Sequence, residues 1–145
     1  MTALTPDLCV IGAGSGGLAV AAGAVQMGAS VVLVERGRMG GDCLNYGCVP
    51  SKSLLAAAKL ADAWRRSGEF GIRYEPPTID VAAVADSIGR VIDRLAPHDS
   101  VERFEALGVQ VIPAEARFLD RRTLVAGDAT IRPRRFVIAT GSAPR

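Results

Sequence analysis

From Leu8 to Val34 the chain runs 27 residues without a charged side chain, and six glycines (Gly12, Gly14, Gly16, Gly17, Gly23 and Gly28) fall inside that run. A membrane helix needs ~20 mostly apolar residues, so length alone would permit a span. The glycines argue against it, because glycine weakens a helix interior by ~1 kcal/mol relative to alanine. The run divides better into three buried elements. Leu8 to Ile11 is a short apolar run stopped by glycine, the pattern of a buried strand. Residues 14–27 are rich in alanine and end at Gly28, which predicts a helix packed close to a sheet with a glycine stop. Residues 30–34 are mostly β-branched and predict a second strand. Strand, helix and strand in so few residues make a βαβ unit, whose strands run parallel.

The turn that joins the first strand to the helix reads Gly12-Ala13-Gly14-Ser15-Gly16-Gly17, a G-x-G-x-x-G pattern in the context it requires. Gly12 permits the tight turn. Gly14 lets the backbone approach a pyrophosphate, and Gly17 lets the helix lie close to the sheet. The helix start offers free N–H groups and partial positive charge to phosphates. Glu35 follows Gly17 by 18 residues, at the end of the second strand, where a carboxylate meets a ribose hydroxyl. This unit does not distinguish NAD from FAD. The fold class expected is α/β: a Rossmann-like FAD/NAD(P)-binding fold with a parallel sheet and a small additional antiparallel β segment.

The rest of the chain fits one domain. It has 145 residues, 49% hydrophobic and 22% charged, with a net charge of +2. That balance points to neither nucleic acid nor an anionic membrane surface as a partner. Met1 to Asp7 lacks the basic start of a secretory signal, so a cytoplasmic, reducing location is the expectation. Residues 36–50 read as a Gly- and Asn-rich loop. Residues 51–66 read as a helix with Leu54, Leu55, Ala58, Ala61 and Trp64 at helical spacing and Gly68 as its stop. From Asp80, the stripe Val81, Val84, Ile88, Val91, Ile92 and Leu95 predicts a second amphipathic helix, interrupted at Pro97. Asp99 with Glu102 reads as a capping pair for a short helix ending at Gly108. Strands are predicted over 109–112, 116–119, 123–125, 129–131 and 136–139, with a turn at Thr140-Gly141-Ser142. Arg121-Arg122 and Arg134-Arg135 read as solvated turn residues.

Three cysteines are too few for a disulfide scaffold, and a single histidine, His98, leaves little for a metal site or a Ser-His-Asp triad. Cys43 and Cys48 are spaced C-x-x-x-x-C, whereas zinc sites favour C-x-x-C and need four ligands. A structural disulfide across so short a loop would contribute only ~2 kcal/mol by closure entropy. A redox-active pair is the remaining reading. Cys48 precedes a helix opening near Pro50, whose N-terminal partial charge favours a thiolate. Lys52, one turn in, adds positive charge.

The segment from Gly40 to Leu54 closely resembles the active-site signature of the flavin-dependent pyridine nucleotide–disulfide oxidoreductases, the family of dihydrolipoamide dehydrogenase, mercuric reductase and glutathione reductase. The resemblance takes in the glycine turn, Glu35, Ala116 within Ala114-Glu115-Ala116-Arg117-Phe118, and the closing Ala139-Thr140-Gly141-Ser142-Ala143-Pro144. It implies FAD laid across the strand ends, with Gly12, Gly14, Gly17, Glu35, Arg36, Gly41, Asp42, Lys52, Ala116, Thr140 and Gly141 around it. It also implies a Cys43–Cys48 disulfide beside the flavin. NAD(P)H would give hydride to the flavin, and the electrons would leave through Cys48. Cys43 would be the interchange thiol that attacks a small-molecule disulfide or takes a metal-ion substrate. Glu35 would hold the ribose, Ala116 would meet the adenine through its backbone, and Lys52 would lie beside the flavin. The alternatives are a dinucleotide-binding module without chemistry and a cofactor-free thiol redox sensor.

Some positions depart from the family pattern. Asp42 stands where threonine is common and brings negative charge near the phosphates; Tyr46 and Ala114 replace smaller residues. Pro50-Ser51-Lys52 is closer to the dihydrolipoamide and mercuric enzymes than to glutathione reductase. By the resemblance, residues 1–145 are the N-terminal part of an FAD-binding domain. The nicotinamide-binding and dimerisation domains of a homodimeric parent enzyme would lie beyond. The expectation is that these 145 residues alone bind FAD weakly or not at all and show no turnover.

Overall fold

The computed structural model describes residues 2–73 and 75–142. Ala143 and Pro144 of the closing motif lie outside the described residues. The uncharged run resolves into strand, helix and strand: β2 (Leu8–Ile11), α1 (Ser15–Gln26) and β3 (Val31–Glu35). They are preceded by a short strand, β1 (Thr2–Leu4), that the sequence reading missed. β2 and β3 pair in parallel, Leu8 opposite Val31 and Ile11 opposite Val34. No helix among the described residues is long and apolar enough to cross a membrane.

The chain continues through α2 (Gly41–Asn45), α3 (Cys48–Ser67), α4 (Val81–Leu95), a 3-10 turn over Ala96–Asp99, and α5 (Val101–Ala106). Five strands follow: β4 (Val109–Pro113), β5 (Ala116–Asp120), β6 (Thr123–Ala126), β7 (Ala129–Ile131) and β8 (Arg135–Ile138). β4 and β8 join β3 and β2 in a parallel sheet of order β4-β3-β2-β8. The second sheet has the order β1-β7-β6-β5. β5, β6 and β7 form an antiparallel meander, and β1 adds to β7 in parallel.

Side chains alternate across the parallel sheet, so each face builds its own core. Val10, Leu33, Val109 and Val111 pack with Leu18, Ala21 and Ala24 of α1 and with Phe104 of α5. Cys9, Ile11, Val32 and Val34 face the other way, onto Leu124, Ala126 and Ile131 of the second sheet. The molecule is therefore three layers deep: helices, parallel sheet, mixed sheet. This arrangement puts the carboxyl ends of β2 and β3 together, where α1 begins.

Three readings need correction. Residues 36–50 are not wholly a loop. Gly40 and Gly41 adopt left-handed conformations (φ 84° and 56°) and lead into α2, and α3 already begins at Cys48 rather than near Pro50. On α3 the leucine stripe faces outward, with Leu54 and Leu55 both more than half exposed, while Ser53, Ala57, Ala61 and Trp64 are half-buried. The smaller residues allow close approach to α4; leucines on that face would hold the helices apart. Gly68 does stop α3, as its C-cap in a right-handed conformation, and one 3-10 turn leads on to the left-handed Gly71. The cap of α5 is Ser100, whose Oγ accepts from the Arg103 N–H, not Asp99. Asp99 is still inside the preceding 3-10 turn.

Candidate functional site

Gly12 sits at φ +103°, and a Cβ there would fall 2.3 Å from the Ala139 carbonyl oxygen at the end of β8. Gly17 would put a Cβ 1.8 Å from the Gly12 carbonyl oxygen. Both are glycine because backbone occupies the side chain's place. Gly12 N–H donates to Val34 O at 2.8 Å and Ala139 N–H donates to Ile11 O at 2.8 Å, so the turn is pinned between β3 and β8. Gly14 caps α1 without a side-chain bond, and no carboxylate stands in the helix's first turn. The opening N–H groups of α1 are therefore available to an anion.

Gly40 and Gly41 meet this turn from α2. Gly40 N–H donates to Ala13 O at 2.9 Å, and a Cβ on Gly41 would come 2.7 Å from the Gly14 Cα. Two glycine-rich turns, 26 residues apart in sequence, thus touch backbone to backbone. Glu35 bridges a third point: its Oε2 accepts from Ala13 N–H and its Oε1 from Gly37 N–H, each at 2.6 Å.

Beside them lies a cleft of about 220 Å³, lined by Gly12, Glu35, Arg36, Glu115, Ala116 and Thr140 among others. Five of the residues singled out from sequence are brought together here: Gly12, Glu35, Arg36, Ala116 and Thr140. Glu115 was not singled out for the site. Its carboxylate takes a bond from Arg36 Nη1 at 3.3 Å, with both side chains 75% exposed. Such exposure makes the pair a weak tie. Gly141 follows at φ +70° with open space around it. The Asp42 carboxylate turns toward Gly47, where a Cβ would meet its Oδ2 at 2.8 Å. It therefore lies in the turn between the two cysteines.

Cys43 is in the middle of α2 and Cys48 is the first residue of α3; both are thiols, Cys43 half-buried and Cys48 exposed. The bond with Cys48 pushes the Cys43 thiol above its ordinary pKa, with desolvation and the neighbouring sulfur's charge adding to the shift, while Lys52 works against it. Cys9 is fully buried in the core, and burial pushes its thiol up to about 11. No group of three or more His, Cys, Asp or Glu among the described residues is placed to hold a metal ion. Another cleft, of about 310 Å³, opens beside Cys43 and is lined also by Ser15 and Gly40 of the cradle and by Leu44, Val49, Leu95, His98 and Asp99.

The fold and the glycine cradle define an α/β dinucleotide-binding domain, here with a pair of neighbouring thiols set just past the cradle. The family described as "Pyridine nucleotide-disulphide oxidoreductase" matches residues 6–145, and the chain belongs to that family. It is 38% identical over 144 residues to a mercuric reductase of Streptomyces lividans, covering 95% of this chain and 30% of that protein. It is 39% identical over 147 residues to a dihydrolipoyl dehydrogenase of Geobacillus stearothermophilus, covering 98% of this chain and 31% of that protein. A dihydrolipoyl dehydrogenase of Haloferax volcanii is 40% identical over 144 residues, covering 94% of this chain and 30% of that protein. The chain thus spans about a third of the length of these relatives.

Proposed function

We propose that these residues form the FAD-binding, dithiol-bearing part of an oxidoreductase that passes electrons from NAD(P)H through FAD to a Cys43–Cys48 disulfide. From there the electrons go on to a disulfide or a metal ion. The observation that carries this reading is the junction of Gly14 with Gly41, since the same short helix that closes the cradle holds Cys43 two residues later. A cofactor seated in the cradle would lie next to the thiols by construction of the chain.

The residues suit the group. Gly12, Gly14 and Gly41 leave backbone bare where a diphosphate would approach, and the uncapped start of α1 supplies donors. The cleft beside Glu35 would take the adenosine, with Ala116 meeting the adenine through its backbone and Thr140 and Gly141 passing close by. Glu35 already accepts two N–H bonds, but a carboxylate has lone pairs left for ribose hydroxyls. Arg36 would border the adenosine, and Lys52 would place its ammonium beside the thiol pair. Bound there, FAD supplies the hydride chemistry that no side chain of this chain provides. Cys48 would stand toward the cofactor. Cys43 would attack the substrate, since exchange needs an accessible sulfur. The names of the relatives point to two substrate classes, mercuric ion and a dihydrolipoyl group.

Counting thiols tests the dithiol. After mild oxidation the denatured chain should lose two of its three thiols and regain them on mild reduction. Cys43→Ser and Cys48→Ser should each abolish the change. A bridge involving Cys9, or no loss at all, would contradict the reading. Titration with FAD of these residues joined to the rest of the parent enzyme, followed by quenching of flavin fluorescence, tests the cradle. Gly41→Ala should weaken binding about tenfold or more, because overpacking of this kind costs ~1–3 kcal/mol.

A further inference from the structure

We propose that before the cofactor is seated the two thiols act in reverse order: Cys48 captures an incoming disulfide, and Cys43 expels the captured group and clears the cofactor's place. The inference rests on the reading that the cofactor lies against Cys48. Exposure sets the order. Cys48 is exposed and Cys43 is half-buried. Cys48 opens α3, a helix of 20 residues that buries only Ser67, and no carboxylate stands in its first turn. Negative charge developing on the Cys48 sulfur therefore meets the positive end of the helix unopposed from within that turn.

Cys43 is placed for the second step rather than the first. It sits in α2, which is pinned at both ends. Gly40 N–H, just before the helix, donates to Ala13 O at 2.9 Å; Asn45 Nδ2, at its end, donates to Met39 O at 3.1 Å and Gly41 O at 2.8 Å. The Asp42 carbonyl closes the turn between the cysteines, accepting from Tyr46 N–H at 2.9 Å and Gly47 N–H at 2.7 Å. The turn keeps Cys43 beside Cys48. The bond with the Cys48 side chain, and then desolvation, hold the Cys43 thiol above its ordinary pKa; the Cys48 backbone N–H and Lys52 pull the other way without reversing the shift. A thiol that keeps its proton is the slower partner for a disulfide arriving from solution. Its attack on a neighbour already alongside is intramolecular and gains from proximity.

The steps balance. Cys48 gives its proton to solvent, and its sulfur attacks one sulfur of a small disulfide. A Cys48–adduct S–S bond forms, the incoming S–S bond breaks, and the released thiolate takes a proton from solvent. Cys43 Sγ then loses its proton and attacks Cys48 Sγ. The Cys43–Cys48 bond closes, the adduct bond breaks, and the second small thiol leaves with a proton. Two electrons pass from the dithiol to the small disulfide. The adduct on Cys48 fills space that the cofactor needs, whereas the internal disulfide adds no atoms there. With the cofactor seated, Cys48 is covered and Cys43 is the sulfur left to meet substrate, as in the proposed function.

The test uses these residues joined to the rest of the parent enzyme, reduced and kept from air, once stripped of flavin and once with FAD restored. The probe is 2-hydroxyethyl disulfide, with acid quenching at short times and peptide mass spectrometry to place the adduct. In the stripped protein the adduct should form on Cys48 about tenfold faster than on Cys43, and with FAD present the preference should reverse. In Cys43→Ser the adduct should stay on Cys48, and FAD titration by fluorescence quenching should weaken about tenfold or more until dithiothreitol removes the adduct. Recovery with dithiothreitol separates the adduct from any folding defect of the variant. An adduct forming first on Cys43 in the stripped protein, or the same preference with and without FAD, would overturn the inference. So would an adduct on Cys48 that leaves the FAD titration unchanged. Unmodified protein that takes up no FAD would instead sink the cradle reading, while the order of labelling in the stripped protein still decides which thiol captures.

Discussion

Gly17 leaves no room for a side chain, since a methyl would overlap the Gly12 carbonyl oxygen at 1.8 Å. Gly16, one residue earlier on the same helix, has nothing within 4 Å of where its Cβ would be. Sequence pattern treats both as members of one glycine cluster, yet their physics is opposite. Gly17→Ala must push α1 off the sheet or distort the turn, and overpacking of this kind costs ~1–3 kcal/mol or more. Gly16→Ala meets open space in a helix and should be neutral or gain up to ~1 kcal/mol. Urea unfolding of the two variants should therefore move the midpoint in different directions. Equal losses would show that the turn, rather than the packing of α1, sets the glycine requirement. The same close reading explains Glu35. Its carboxylate serves the ribose in the sequence argument, but in the structure it also ties the turn after β2 to the end of β3.

At the level of elements, helix ends separate what a pattern states from what a chain does. Asp80 caps α4 through a 3.0 Å bond from the Ala83 N–H, and the stripe that follows is legible from spacing alone. The α5 cap is displaced by one residue from the Asp99–Glu102 reading because the 3-10 turn opened at Ala96 carries through Asp99. Ser100→Ala should cost ~1 kcal/mol and Asp99→Ala less than half of that, measured by thermal unfolding. The reverse order would restore Asp99 as the cap. α2 was hidden because its two leading glycines, in left-handed conformations, signal a loop to any local rule. β1 was hidden because three residues pair with β7 more than a hundred positions away. The face of α3 was misread because a helix with leucines on one side and small residues on another does not announce which side a neighbour will choose. Candidate site residues stand out from short stretches of sequence more readily than element ends do. The glycine turn, Glu35 and the cysteine spacing carry their chemistry in short stretches of sequence. Glu115 beside Arg36 depends on residues 79 positions apart meeting in space, which no local spacing encodes.

For the whole molecule, the edge opposite the site is closed by one carboxylate. Asp7, just before β2, accepts from the Ser30 N–H at 3.0 Å and the Ser30 hydroxyl at 2.8 Å, and it takes a bond from Arg134 Nη1 at 3.1 Å. Arg134, read from sequence as a solvated turn residue, thus ties the approach to β8 onto the approaches to β2 and β3. The Ser30 backbone and side-chain bonds, and then Arg134, lower the Asp7 pKa from 3.8 to about 2. A carboxylate whose pKa is depressed on folding adds stability that is complete above its unfolded value. That stability is lost as pH falls through the folded one. The contribution of Asp7 should therefore be constant from neutrality down to roughly pH 4 and disappear toward pH 2. Asp7→Asn keeps the shape but removes the charge, so it should melt lower than the parent at pH 7, with the gap closing across that acid window. The gap should also narrow in high salt, because Asp7 and Arg134 are both solvent-accessible. A gap unchanged between pH 7 and pH 2 would mean that the hydrogen bonds the side-chain oxygens accept, and not the charge, hold the three strand ends together.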